Sequence, residues 1–317
     1  MKILYYDIEE KEFFDTTIEK LEMSNEYKSL KKINECFFSS QEFHILHMKN
    51  AEQVYRIIIK NKDSLIGEFY CGIKNNELCL PYSSPFFYLN EFKNIRDEEY
   101  FKISDSIKLL KEKFNLKKVK ITFSPKVYNE KVENIIGIFL NNDFKVKYYD
   151  VNHYFDLKLD TIQDRSIKKD TNLSKKFNLK FSKANLEEAY PVIRQNRIER
   201  GFPLKMTQDH LLNMERLSNS EIESFVVKDE NETKIAAAII FKIKQEKYQV
   251  VYWGNIKDKS HKKPMAFLVK NLLDYYKEKA EILDIGPSSE EGKINFGLSQ
   301  FKRNIGCCIC SKMTLEY

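Results

Sequence analysis

The chain has 317 residues, 42% apolar and 32% charged, which exceeds one ordinary core, suits two of about 150 residues each, and excludes a disordered chain. Only nine Gly and seven Pro leave no collagenous or linker-like reading. The net charge of +6 is spread among interleaved acidic residues; it suits an anionic cofactor or substrate and gives little support to a DNA-binding surface, which clusters its Lys and Arg.

The opening residues MKILYYDIEEKEFF are broken by acids before a signal-peptide core can form. No run of about 18 apolar residues follows, so the expectation is a cytoplasmic protein without a membrane span. The six cysteines read as reduced, small apolar residues. The five histidines are scattered and make no metal set.

In chain order, strands are predicted over Arg56 to Lys60, Leu65 to Ile73 and Glu77 to Pro81, separated by polar turns. Ile103, Ile107, Leu110 and Phe114 repeat at helical spacing. A strand at Lys118 to Phe123, a helix through Val132 and Leu140, and one or two strands over Phe144 to Leu159 complete the first half. The polar, Lys-rich stretch Asp160 to Leu179 reads as the boundary, giving domains 1–160 and 161–317. The second half repeats the order. Helices are predicted over Leu186 to Arg200, closed by Gly201, and over Gln208 to Leu217 behind Thr207. Strands follow at Ile222 to Lys228, Ile235 to Gln245 and Tyr248 to Ile256. A helix then opens on Pro264, followed by the strand Glu281 to Gly286, a short helix through Leu298, Phe301 and Ile305, and a last strand at Ile309 to Leu315.

Strands, helix, strand, helix, strand is the order of the GNAT acyltransferase fold. Two stretches sharpen the likeness: NRIERGFPLKM (Asn196 to Met206) and DIGPSSEEGKINFGLSQFKRNIG (Asp284 to Gly306). Arg200-Gly201-Phe202-Pro203 resembles the family turn R-G-[FY]-P. Asp284, Gly286, Ser288, Glu290, Asn295, Gly297, Leu298, Lys302 and Gly306 resemble its D-x-G-x-S-x-E and N-x-G-L-x-x-x-K signatures. Both are features of the double-GNAT, FemAB-like acyltransferases associated with bacterial polysaccharide and cell-envelope pathways. Ser83 to Phe86 resembles the same family more weakly. The likeness implies an α/β (α+β) fold of two tandem GNAT-like domains, each a mixed, mostly antiparallel sheet flanked by helices.

It also implies an acyltransferase that moves an acyl group from acyl-CoA, acetyl-CoA first among them, to an amine of a sugar nucleotide or envelope precursor by direct attack. Groups other than aminoacyl are preferred, and no metal is needed. Asp284, Tyr252 and Glu290 are the candidate catalytic residues, for proton transfer and acceptor orientation. Arg197, Arg200, Phe202, Ser288 and Lys302 are candidates for the acceptor, the two arginines sharing one helix face. His261, Lys262, Lys263, Ala266 and Asn295 are candidates for the cofactor. The stretch HKKPMA departs from the family's glycine-rich [QR]-x-x-G-x-[GA] loop, with Pro264 where glycine is usual. That departure keeps two alternatives open: a Fem-like transfer from aminoacyl-tRNA, and a non-catalytic binding module on a GNAT scaffold. The first half lacks the second signature and is expected to help hold the acceptor without a donor site of its own.

Overall fold

A computed structural model describes residues 15–21, 36–159, 165–217 and 222–317. The chain divides into two compact units: Met1–Tyr149 with Ser311–Tyr317, and Asp150–Cys310. The boundary expected at 160 falls in residues 160–164, outside the described residues. The changeover at Tyr149 and Asp150 lies within a single unbroken strand, Lys145–Asp156.

Unit 1 is built from β1 (Asp15–Lys20), α1 (Gln41–His47), β2 (Gln53–Asn61), β3 (Ser64–Lys74), β4 (Glu77–Leu80), β5 (Asn90–Glu91), α2 (Asp97–Lys113), β6 (Lys118–Thr122), α3 (Val132–Asn141) and the start of β7 (Lys145–Asp156). β1 to β4 form an antiparallel meander, and β4 then runs parallel to β6. β2 and β3 are buried along most of their length, so their apolar runs are nearly continuous. Ile57, Phe69, Ile107, Leu110, Val119 and Phe139 anchor the core beneath α2 and α3.

Unit 2 continues from β7 through α4 (Arg165–Ser174), β8 (Lys180–Ala184), α5 (Leu186–Glu199), α6 (Gln208–Leu217), β9 (Ile222–Lys228), β10 (Lys234–Lys244), β11 (Lys247–Asn255), α7 (Pro264–Tyr276), β12 (Ile282–Pro287), the hairpin β13 (Ser289–Glu290) and β14 (Lys293–Ile294), α8 (Phe296–Asn304) and the start of β15 (Cys308–Glu316), whose remainder belongs to unit 1. The strand order is β7-β12-β11-β10-β9-β8, with only β11 and β12 parallel. Alternate residues of β10 face opposite layers. Ala236, Ala238 and Ile240 join Leu268, Leu272 and Tyr276 of α7 in one core, while α5 packs against β9, β10 and β11.

α4 occupies the polar stretch read as the boundary, and β1 and β8 fall where no element was predicted, because these segments carry no clear apolar period. Phe144 to Leu159, read as one or two strands, holds a single strand. All six cysteines are free thiols.

Candidate active site at the strand gap of unit 2

β11 and β12 pair over three positions only, from Lys247↔Ile282 to Gln249↔Asp284. β12 then bends at Gly286, whose φ of +73° is the left-handed region that glycine tolerates. β11 runs on to Asn255. Its edge past Gln249 therefore has no strand beside it among the described residues. Just past the divergence the register against β10 jumps from Tyr252 to Val250, leaving Val251 as a bulged residue. A bulge beside an unpaired edge re-aims backbone N–H groups into the gap. Nothing in the sequence marked it, since it follows from the register of two strands.

Asp284 is fully buried at the closed end of this gap. Its carboxylate accepts from Asn152 Nδ2 at 2.8 Å, Gln249 Nε2 at 2.9 Å and the Gly286 N–H at 2.9 Å. Such a carboxylate, saturated by donors, ties three strands and the glycine turn together. That is an anchoring role, where the sequence pointed to proton transfer. Lys302, expected to face the acceptor, is also interior. Its ammonium donates to the carbonyls of Ile285, Gly286 and Pro287 at 2.8, 2.7 and 2.9 Å. All three protons are used, so Lys302 holds the bent strand end instead of reaching a ligand. Burial pulls its pKa down to about 8, and Asp284 opposes the shift.

Ser288 is buried as well, with Oγ 3.0 Å from His153 Nδ1. Burial first, and the Lys302 charge second, push His153 down to about 4, so it is neutral at pH 7. Asn152, His153 and Gln249 were not singled out from the sequence. Their significance comes from cross-strand register, and no local motif carries it.

The wall opposite is α5. Asn185 caps it through a reciprocal box with Glu188. Gly201, at φ +70°, ends it, and the Phe202 N–H returns to the Arg197 carbonyl at 3.0 Å. α5 can approach β11 because Gly254 has no side chain: a Cβ there would lie 2.3 Å from Asn196 Oδ1. Asn196 Nδ2 donates to the Asn255 carbonyl at 2.7 Å. This contact sets Arg197 with its guanidinium carbon 5.6 Å from the centre of the Tyr252 ring. Arg197 Nε is buried without a hydrogen-bond partner. Burial, with Arg200 nearby, depresses the pKa of Arg197. The Tyr252 hydroxyl is raised, chiefly by burial, and stays protonated at neutral pH. Arg200 and Phe202 are exposed beside it.

Glu290 lies on the exposed hairpin, 3.5 Å from Lys205 Nζ. Asn295 caps α8, its Oδ1 accepting from the Leu298 N–H at 2.9 Å. The candidate cofactor residues gather at the start of α7, but their charges are committed. Lys262 is buried between Asp229 and Glu230, at 3.0 and 2.6 Å. Lys263, at φ +57°, lies 3.4 Å from Asp170 of α4. His261 Nδ1 is 3.0 Å from the Asp258 carbonyl, and Ala266 is packed in the core. The structure thus brings Arg197, Arg200, Tyr252 and Asp284 to the gap and leaves the HKKPMA group as an ion-paired helix start.

Unit 1 treats the corresponding gap differently. β4 stops at Leu80, and residues 83–87 fold back beside β6. The Phe87 N–H donates to the Thr122 carbonyl at 2.6 Å, and buried Phe86 stacks on Tyr128 at 5.0 Å. The edge left open in unit 2 is filled here by the chain itself.

Solved structures share this fold. A crystal structure of FemX matches with TM-score 0.66 and 12% identity, over 90% of this chain and 93% of that one. L-PGS from Bacillus licheniformis matches at 0.57 and 12%, over 90% and 93%. A tandem GNAT protein from the clavulanic acid biosynthesis pathway matches at 0.51 and 7%, over 96% and 98%. The chain has the tandem GNAT, Fem-like fold. No family model matches the sequence, and no curated protein matches it. At these identities the likeness establishes fold alone, and the chemistry rests on the residues in the gap.

Proposed function

We propose that unit 2 is an N-acyltransferase, moving an acyl group by direct attack onto an amine of an anionic acceptor such as a sugar nucleotide or another cell-envelope precursor. The observation that carries this reading is Arg197: a half-buried guanidinium whose buried Nε has no hydrogen-bond partner, over the Tyr252 ring on β11. A buried N–H without an acceptor is costly, and a phosphate or carboxylate on the acceptor would offset that cost with paired hydrogen bonds. Arg200 adds a second charge at the mouth.

The acyl donor lies along β11, its amide groups pairing with the free edge. N–H groups around the Val251 bulge face the oxygen that becomes negative as the tetrahedral adduct forms. The amine's proton passes to Glu290, the exposed candidate carboxylate, because the oxygens of Asp284 are occupied. Tyr252, held protonated by burial, gives its proton to the departing group.

Acyl-CoA is the first donor to test. The start of α7 favours a second: with Lys262 and Lys263 ion-paired and Pro264 lacking an N–H, little charge is left for a pyrophosphate. An aminoacyl-tRNA ester needs no such docking. The deciding experiment is transfer from radiolabelled acetyl-CoA and from charged tRNA to a panel of amino-sugar nucleotides and peptidoglycan precursors. Label reaching an acceptor from either donor, and reduced in Arg197→Ala at low acceptor concentration, supports the function and names the donor. No transfer from either leaves the non-catalytic binding module as the better reading.

A further inference from the structure

Few described residues expose a large apolar side chain, and four that do lie in two short segments beside the gap. Ile198 and Phe202, at the end of α5, are 65% and 50% exposed; Ile294 and Phe296, on the hairpin and the first turn of α8, are 38% and 78% exposed. Residues 290–297 are exposed without interruption. Their turn, Glu291-Gly292, has positive φ at both positions, the geometry of a tight hairpin that projects its flanking residues. The Lys205–Glu290 pair, at 3.5 Å, links this hairpin to the turn that follows α5. A groove of about 600 Å³ continues along the outer side of α5, lined by Tyr190, Pro191, Arg194, Gln195, Ile198 and Gln208.

Nothing in the packing of unit 2 requires Phe296 in water, and such clustered apolar exposure marks a contact surface. The charges around it select the partner. Arg194, Arg200, Lys205 and Lys293 are exposed on the same two segments, against Glu290 and Glu291 on the hairpin. Aromatic and aliphatic side chains ringed by excess Lys and Arg fit the headgroup layer of an anionic bilayer. A protein partner would be expected to meet a flatter, charge-depleted centre.

We propose that the end of α5 and the β13–β14 hairpin form a face that seats unit 2 on an anionic membrane surface, with Ile294 and Phe296 entering the headgroup layer. It deepens the proposed function in one respect: the acceptor is presented at that surface, its anionic head toward Arg197. No described helix is long and apolar enough to cross a membrane, so the contact is peripheral.

The test is co-sedimentation of the full chain with phosphatidylcholine vesicles, with and without phosphatidylserine. Binding is expected only with the anionic lipid and is expected to weaken as salt rises. In Ile294→Ser/Phe296→Ser it should fall by about tenfold or more, since two side chains lose their burial, while the thermal melt stays unchanged. Absence of binding to anionic vesicles, or undiminished binding by the double variant, overturns the proposal. The assay uses neither donor nor acceptor, so its failure leaves the acyl-transfer reading standing. A raised acceptor KM in Arg197→Ala with vesicle binding intact concerns the acceptor site alone.

Discussion

Arg197 has no carboxylate within ion-pair distance among the described residues, and its replacement separates binding from stability. Arg197→Ala is expected to raise the KM for the acceptor about tenfold or more with little loss of kcat. The melting temperature should hold or rise, since a buried, unpartnered N–H is removed. Steady-state kinetics beside a thermal melt reads both, and an unchanged KM would remove Arg197 from the acceptor site. Gly254→Ala attacks the same side chain from behind. The new methyl meets Asn196, α5 must shift, and about 1–3 kcal/mol of stability should go with it. His153 supplies a pH signature. Its folded pKa of about 4 lies below the ordinary 6.5, so the unfolded chain binds the proton first. Its contribution is therefore complete above pH 6.5 and lost as pH falls toward 4. By pH 5 that is about 1–2 kcal/mol. His153→Gln should flatten the melt-against-pH curve over that window, and a curve unchanged from the parent would exclude His153 as its source.

At the scale of elements, long apolar periods made α2, α5, α7 and the central strands legible, and Gly201 and Pro264 marked helix ends from sequence alone. Polar β8 and Lys-rich α4 were not legible, because their packing comes from neighbours distant in the chain. The site divides in the same way. The stretches around Arg200 and Asp284 stood out by residue type, but depth decides role, and depth is not written in a motif. Asp284 and Lys302 carry the right chemistry for a reaction and are used to hold the end of β12. Lys302→Met should strand three carbonyls and cost on the order of 3 kcal/mol. Lys302→Arg should not restore it, since a planar fork cannot copy three converging bonds. Chemical denaturation measures both, and a near-neutral Lys302→Met would end the strand-anchor role. In unit 1, Phe86→Ala should cost about 3–5 kcal/mol by opening the plugged gap.

At the scale of the molecule, each unit carries its own apolar core, yet unit 1 is not a continuous stretch of chain and takes Ser311–Tyr317 from beyond unit 2. Thr314 lies 2.9 Å from Thr122 across the β15–β6 pairing, and Leu315 is fully buried in the unit 1 core. Synthesis makes this arrangement costly in time. At roughly 5–20 residues per second, the ribosome spends many seconds on unit 2 after β6 has emerged. Through that interval one edge of β6 waits for a partner still unmade, an open template for strands of other nascent chains. The protein therefore has a built-in period of vulnerability, set by translation speed, that ends when β15 arrives.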